Sequence, residues 1–149
     1  MSDWRDLLID DDAGLTAIFT ESKTVAVLGA KTNASAPAFY VPAYLHGRGY
    51  SIRPVNPRFA GRRLHDCDTV ASLRDLTEPV DVIEIFRRPE YLPGHVDEIL
   101  ALAWRPKTVW FQLGIRNDAA AEKLARAGIR VVQDRCMMPE HRRLNPQAH

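Results

Sequence analysis

Cysteine is scarce in this chain, and net charge is nearly absent. Cys67 and Cys136 are the two cysteines among 149 residues. They lie far apart and form no CxxC pair, so a disulfide framework is not expected and both read as buried or free thiols. Lys and Arg total 20 against 19 Asp and Glu, a formal net charge of +1, which argues against a binder of nucleic acid or other polyanions. No apolar run approaches the ~20 residues of a membrane span. Met1 to Asp12 is acidic and lacks the basic start and apolar core of a signal peptide, so a cytoplasmic protein is expected.

Catalytic signatures are missing as well. There is no GxGxxG, no GxxxxGK[ST] phosphate loop and no GxSxG elbow. His46, His65, His95, His141 and His149 have no metal-ligand spacing with Cys or Asp. The carboxylates at Asp10–Asp12 sit on a terminus and read as a solvated acidic patch.

What the chain has is a globular balance, 46% hydrophobic and 26% charged, and five short apolar runs. These are Thr24–Gly29, Tyr50–Val55, Val80–Phe86, Thr108–Leu113 and Ile129–Gln133. Most are rich in Val, Ile or aromatic residues, as buried strands are. They begin roughly 20–30 residues apart, the size of a strand plus a crossover helix. Val96, Ile99, Leu100 and Ala103 form one helical face. Asn117 is set to cap a helix over Asp118–Ala127, with Gly128 ending it. Val41, Tyr44 and Leu45 make a shorter stripe, with Pro42 tolerable in its first turn and Gly47 and Gly49 stopping it. Leu15, Ile18 and Phe19 indicate a further N-terminal helix, and Ala71–Leu76 offers one or two turns. Alternation of this kind gives a Rossmann-like three-layer α/β fold, a parallel sheet flanked by helices, in a single domain. Residues 1–12 read as an N-terminal extension and 137–149 as a polar, extended C-terminal tail.

In an open parallel sheet, ligands bind beyond the carboxyl ends of the strands. After the first strand, Gly29-Ala30-Lys31-Thr32-Asn33-Ala34-Ser35-Ala36-Pro37 is a small, polar loop entering a helix. It is either a phosphate cradle or an ordinary turn. After the second come Asn56-Pro57-Arg58 and Gly61-Arg62-Arg63. NAD calls for an acid there; these arginines favour a phosphate on an adenosine ribose, although Arg62 and Arg63 also read as a solvated loop, Arg63 the more so. After the third, Phe86 faces either an adenine or the core, Arg87 and Arg88 follow, and Pro89 suits a helix start. After the fourth, Gln112 is a polar residue in an apolar run, either satisfied by a neighbouring loop or available to ligand amides, and Gly114 allows close backbone approach. After the fifth come Asp134-Arg135-Cys136, with Asp and Arg read as a loop-holding ion pair.

Together these strand ends resemble the bacterial CoA-binding domain family, small proteins similar to the CoA-binding domain of the succinyl-CoA synthetase alpha subunit. The motifs are Val27-Leu28-Gly29-Ala30 with Asn33–Pro37, Val55-Asn56-Pro57 with Gly61, Asp81–Phe86 with Arg87, Trp110–Gly114 with Asn117, and Asp134-Arg135-Cys136, spread over Leu15 to Leu144. The resemblance implies coenzyme A as cofactor, with its diphosphate on the Gly29–Pro37 loop (Gly29, Ala30, Lys31, Asn33, Ser35, Pro37). It puts Asn56, Pro57 and Arg58 at the adenosine and Phe86, Arg87 and Pro89 on the adenine or diphosphate side. It puts Gln112, Leu113 and Gly114 at the pantetheine arm, with Asn117 and Arg135 as outer contacts. Lys31 stands where the family carries a small hydroxyl residue, and the synthetase's catalytic domain has no counterpart here.

The expected function is therefore binding of CoA or an acyl-CoA by a non-catalytic carrier, sensor or regulator, with room for a protein partner. The alternative is an NADP-dependent oxidoreductase or an NAD(P)-binding regulatory domain, because NADP tolerates arginine at the second strand. An acyl-transfer enzyme with Cys136 as nucleophile ranks last, since the sequence places no histidine as its base.

Overall fold

A computed structural model describes residues 3–146. All five apolar runs contain strands. In chain order the strands are β1 (Thr24–Leu28), β2 (Ser51–Val55), the two-residue β3 (Arg63–Leu64) and β4 (Cys67–Asp68), β5 (Val82–Ile85), β6 (Thr108–Phe111) and β7 (Arg130–Val132). Five pair in parallel in the order β2-β1-β5-β6-β7, and β3–β4 is a separate antiparallel hairpin that the sequence did not announce. The helices are α1 (Asp12–Glu21), α2 (Pro37–Gly47), α3 (Leu92–Leu100), α4 (Asp118–Arg126) and α5 (Met137–Leu144).

Alternation along the strands sorts the core into two layers. Val25, Val27, Ile52, Val82, Trp110 and Val132 pack against α1, α2 and α5 through Leu15, Phe19, Val41, Leu45 and Met137. Ala26, Val55, Ile83, Val109, Phe111 and Val131 pack against α3 and α4 through Val96, Ile99, Ala121 and Leu124. Strands buried on both faces read as continuous apolar runs, which is why they were legible. Asn117 caps α4 by accepting a hydrogen bond from Ala120 N at 3.0 Å, and Gly128 turns the chain after it with φ +89°.

Four expectations need correction. Residues 137–144 are not extended but form α5. Met137 is buried, and Arg143 reaches Asp12 on α1 at 2.9 Å and Glu140 at 2.6 Å, so packing against α1 orders a segment that looks polar alone. Residues 147–149 of the expected tail, with His149, lie outside the described residues, as do Met1 and Ser2. Pro42 is not in a first turn. α2 starts at Pro37, and the Ala38 carbonyl that Pro42 cannot serve receives Lys31 N at 3.5 Å instead. Ala103 lies beyond the end of α3. The acids Asp10–Asp12 are exposed but engaged: Asp10 pairs with Arg135, Asp11 caps α1 through Gly14 N, and Asp12 pairs with Arg143. The segment before α1 also lines the outer edge of β7, where Ile9 N donates to Val131 O at 2.9 Å.

Candidate functional site: the crevice between β1 and β5

The strand order reverses between β1 and β5. From β1 the chain steps out to β2, then crosses back to β5 on the other side. Connections on the two sides diverge at that point and leave a crevice beyond the strand ends, the usual ligand position in a doubly wound sheet. Its walls are the loop after β1 and the segment after β5.

Gly29 fits this crevice as no other residue could. Its φ is +93°, and a Cβ there would stand 2.8 Å from the Phe86 carbonyl oxygen and 3.0 Å from Arg87 Cδ. Backbone from the two walls is therefore pressed together at this point. Beyond it, Asn33 Oδ1 accepts from the backbone N and the hydroxyl of Ser35 at 3.0 and 2.8 Å, folding the loop back before α2. α2 begins with Pro37 after Ala36, which provides no side-chain cap. The positive end of this helix thus opens at the loop without a side-chain cap. Lys31, Asn33, Ser35 and Pro37 are all exposed there, whereas Ala30 is buried.

Asn56 braces this loop. Its Nδ2 donates to Ala30 O at 2.9 Å, and its Oδ1 accepts from Arg58 N at 2.9 Å. Pro57 and Arg58 are exposed in a short 3-10 turn, with the Arg58 guanidinium 5.5 Å from the Phe59 ring. Arg63 is held by Asp68 at 3.2 Å and by the Asp66 carbonyl, a structural role.

On the other wall Phe86 is half-buried and packs on the α1/α2/α5 side of the core. Arg87 is half-buried with its stem against Gly29. Its guanidinium lies 5.0 Å from the Tyr91 ring, and its Nε is buried without a hydrogen-bond partner. Pro89 opens a 3-10 turn that runs directly into α3. In the first turns of α3 stands His95, beside Arg87 and 3.7 Å from Glu98. Tyr91 and His95 were not expected at the site; an aromatic and a histidine in a helical pattern carry no signal by themselves.

The end of β6 lies one strand further. Gln112 N continues the ladder by donating to Ile85 O at 3.2 Å. Its side chain is 6% exposed and its Oε1 has no partner, so no neighbouring loop satisfies that oxygen. Leu113 is 65% exposed, the most exposed large apolar residue among the described residues. Gly114 has φ +86° and donates its N–H to Asp134 Oδ1 at 2.7 Å; nothing crowds it. A cavity of about 300 Å³ adjoins this end, lined by Leu113, Arg116, Asp134 and Cys136 among others.

Two expected outer contacts are occupied elsewhere. Asn117 caps α4, and Arg135 is clamped between Asp10 at 2.6 Å and Glu140 at 3.2 Å. Arg135 therefore does not pair with its neighbour Asp134, whose Oδ1 accepts from Gly114 N.

Beneath the crevice floor lies a residue whose warning was present in the sequence, an acid inside VDVIEIF. Glu84 is fully buried on β5, opposite Val27 of β1 and Trp110 of β6. Neither carboxyl oxygen has a partner, and burial pushes its pKa up to about 8. Among the described residues no group of three or more His, Cys, Asp or Glu could hold a metal ion, and no helix is long and apolar enough to cross a membrane.

Similar proteins are found over most of the chain. The model of a CoA binding domain family matches residues 23–142. The chain is 31% identical over 129 residues to the uncharacterized protein YneT of Bacillus subtilis, covering 87% of this chain and 93% of that one. It is 51% identical to a Thermus thermophilus protein of known structure, with a TM-score of 0.86 over 91% of this chain and 99% of that one. A hypothetical protein of Pyrococcus horikoshii is 31% identical, with a TM-score of 0.83 over 91% and 93%.

Proposed function

Because the chain belongs to the CoA-binding domain family, we propose that it binds coenzyme A, or an acyl-CoA, across the crevice between β1 and β5 and acts as a carrier, sensor or regulatory module without chemistry of its own. The observation that carries this reading is Gly29. Only a glycine fits against the Phe86 carbonyl, and beside it the half-buried Arg87 makes no salt bridge with any acid among the described residues. A diphosphate suits that combination of close backbone, a helix start without a side-chain cap and a guanidinium held by no acid.

The remaining parts of CoA follow from the order of the strands. Pro57 and Arg58, exposed at the β2 end, border the adenosine, with Arg58 free to meet the ribose phosphate. Asn56 serves indirectly by holding the Ala30 carbonyl. Gln112, Leu113 and Gly114 border the pantetheine arm. Exposed Leu113 is an apolar surface for the methylenes of the arm. From there the thiol end is directed toward the cavity that Leu113 shares with Cys136.

Calorimetric titration with CoA and with dephospho-CoA tests this reading. CoA is expected to bind more tightly, and Arg58→Ala to weaken CoA by about tenfold, roughly 1.4 kcal/mol, while leaving dephospho-CoA nearly unchanged. An unchanged preference removes Arg58 from the site. Binding of NADPH in place of CoA would transfer the crevice to the NADP reading.

A further inference from the structure

Arg87 lies in the wall after β5, and His95, which is within reach of its charge, has a defined support. His95 Nδ1 lies 3.7 Å from Glu98 Oε1, and the Ser72 hydroxyl donates to Glu98 Oε2 at 3.1 Å. The His95 side chain is 18% exposed, and its Nε2 is buried without a partner, as is Arg87 Nε. Two charged groups act on the imidazole: Arg87 from the connection after β5, and Glu98 from its own helix. On the α4 side of α3, Asp97 is taken up by Lys123 at 2.7 Å. Burial and the Arg87 guanidinium hold His95 below the ordinary histidine range, against the opposing pull of Glu98.

We propose that anion binding in the β1/β5 crevice is proton-linked through His95: a phosphate that meets the charge of the Arg87 guanidinium also lets the imidazole that this charge acts on accept a proton. This rests on the reading that a phosphate-bearing ligand occupies the crevice. In the free protein a protonated His95 would place a second cation beside Arg87, in a partly buried pocket where repulsion is poorly screened. A bound diphosphate brings negative charge to that pair and removes the repulsion. Linkage is reciprocal. If the ligand favours the imidazolium, a lower pH favours the ligand. Affinity is then highest below the free-protein pKa of His95, falls as pH rises toward the pKa in the complex, and is flat above it.

The test is calorimetry of the intact protein with dephospho-CoA between pH 5 and 8, in two buffers of different ionisation enthalpy at each pH. Dephospho-CoA is used because its diphosphate keeps its charge over this range, whereas a phosphate monoester loses its second proton near about pH 6. The expected result is uptake of up to one proton on binding, with affinity falling by as much as about tenfold per pH unit inside the window. His95→Asn should bind without proton uptake and with a flat pH profile, and Glu98→Gln should move the window to lower pH. Binding to the unmodified protein without proton uptake would overturn the linkage and leave the CoA reading standing. Uptake that persists in His95→Asn would also overturn it. No binding of dephospho-CoA or CoA at any pH would overturn both.

Discussion

Replacing Glu84 by glutamine should make this protein more stable at neutral pH. Glu84 sits between β1 and β6 in the middle of the sheet, with no exposed surface and no partner for either oxygen. Its folded pKa of about 8 lies above its ordinary value of 4.5. An acid raised in this way favours the fold when protonated. Its contribution is complete below about pH 4.5 and is lost as pH rises through about 8. Each pH unit between those values costs about 1.4 kcal/mol, so the whole window is worth about 5 kcal/mol, and about 3 kcal/mol is already lost at pH 7. Glutamine has the size of the neutral acid and cannot ionise. Urea unfolding of both proteins from pH 4.5 to 8 should give nearly equal stabilities at the acid end and a growing advantage for Glu84→Gln above it, about 3 kcal/mol at pH 7. Subtracting the two curves removes every other titrating group, His65 and His95 included. Parallel curves would refute the reasoning, because they would mean that Glu84 keeps its charge inside the sheet.

Two changes in the crevice have separate expected outcomes. Gly29→Ala should destabilise the fold by about 1–3 kcal/mol through its left-handed backbone and the clash with the Phe86 carbonyl, and should abolish CoA binding in calorimetry; normal affinity would refute the close-approach argument. Asn56→Ala leaves Ala30 O and Arg58 N without their partners, and should cost about 2 kcal/mol in denaturant unfolding while weakening CoA only through the loosened loop; unchanged stability would show that the brace is dispensable.

The legible parts of the fold are those that local pattern decides. Runs such as Thr24–Leu28 could be read because both faces of the sheet are covered, and α4 could be read because Asn117 and Gly128 mark its ends within the sequence. α5 escaped because its order comes from Asp12, 131 residues away from Arg143. The β3–β4 hairpin escaped because each strand has two residues and its turn uses His65 and Asp66 at φ +53° and +63° where glycine or asparagine would have given a signal. At the site the same division holds. Strand-end position located the loops, and Gly29 could be chosen for its freedom of φ. Whether a polar side chain is free for a ligand depends on distant partners, so Asn56 proved to be a brace and Arg135 a clamp held by Asp10, 125 residues away. Arg87 could be named from sequence, but its unpaired Nε and the His95 within reach of its charge could not.

The central claim is that the β1/β5 crevice holds CoA, and backbone amide NMR of the labelled protein during a CoA titration tests it most directly. The account predicts shifts concentrated on Gly29–Ala36, Arg58, Phe86, Arg87 and Leu113–Gly114, with little change in α1 or in the β3–β4 hairpin, Arg63 included. Shifts confined to α1 and the hairpin, or produced by NADPH and not by CoA, would contradict it.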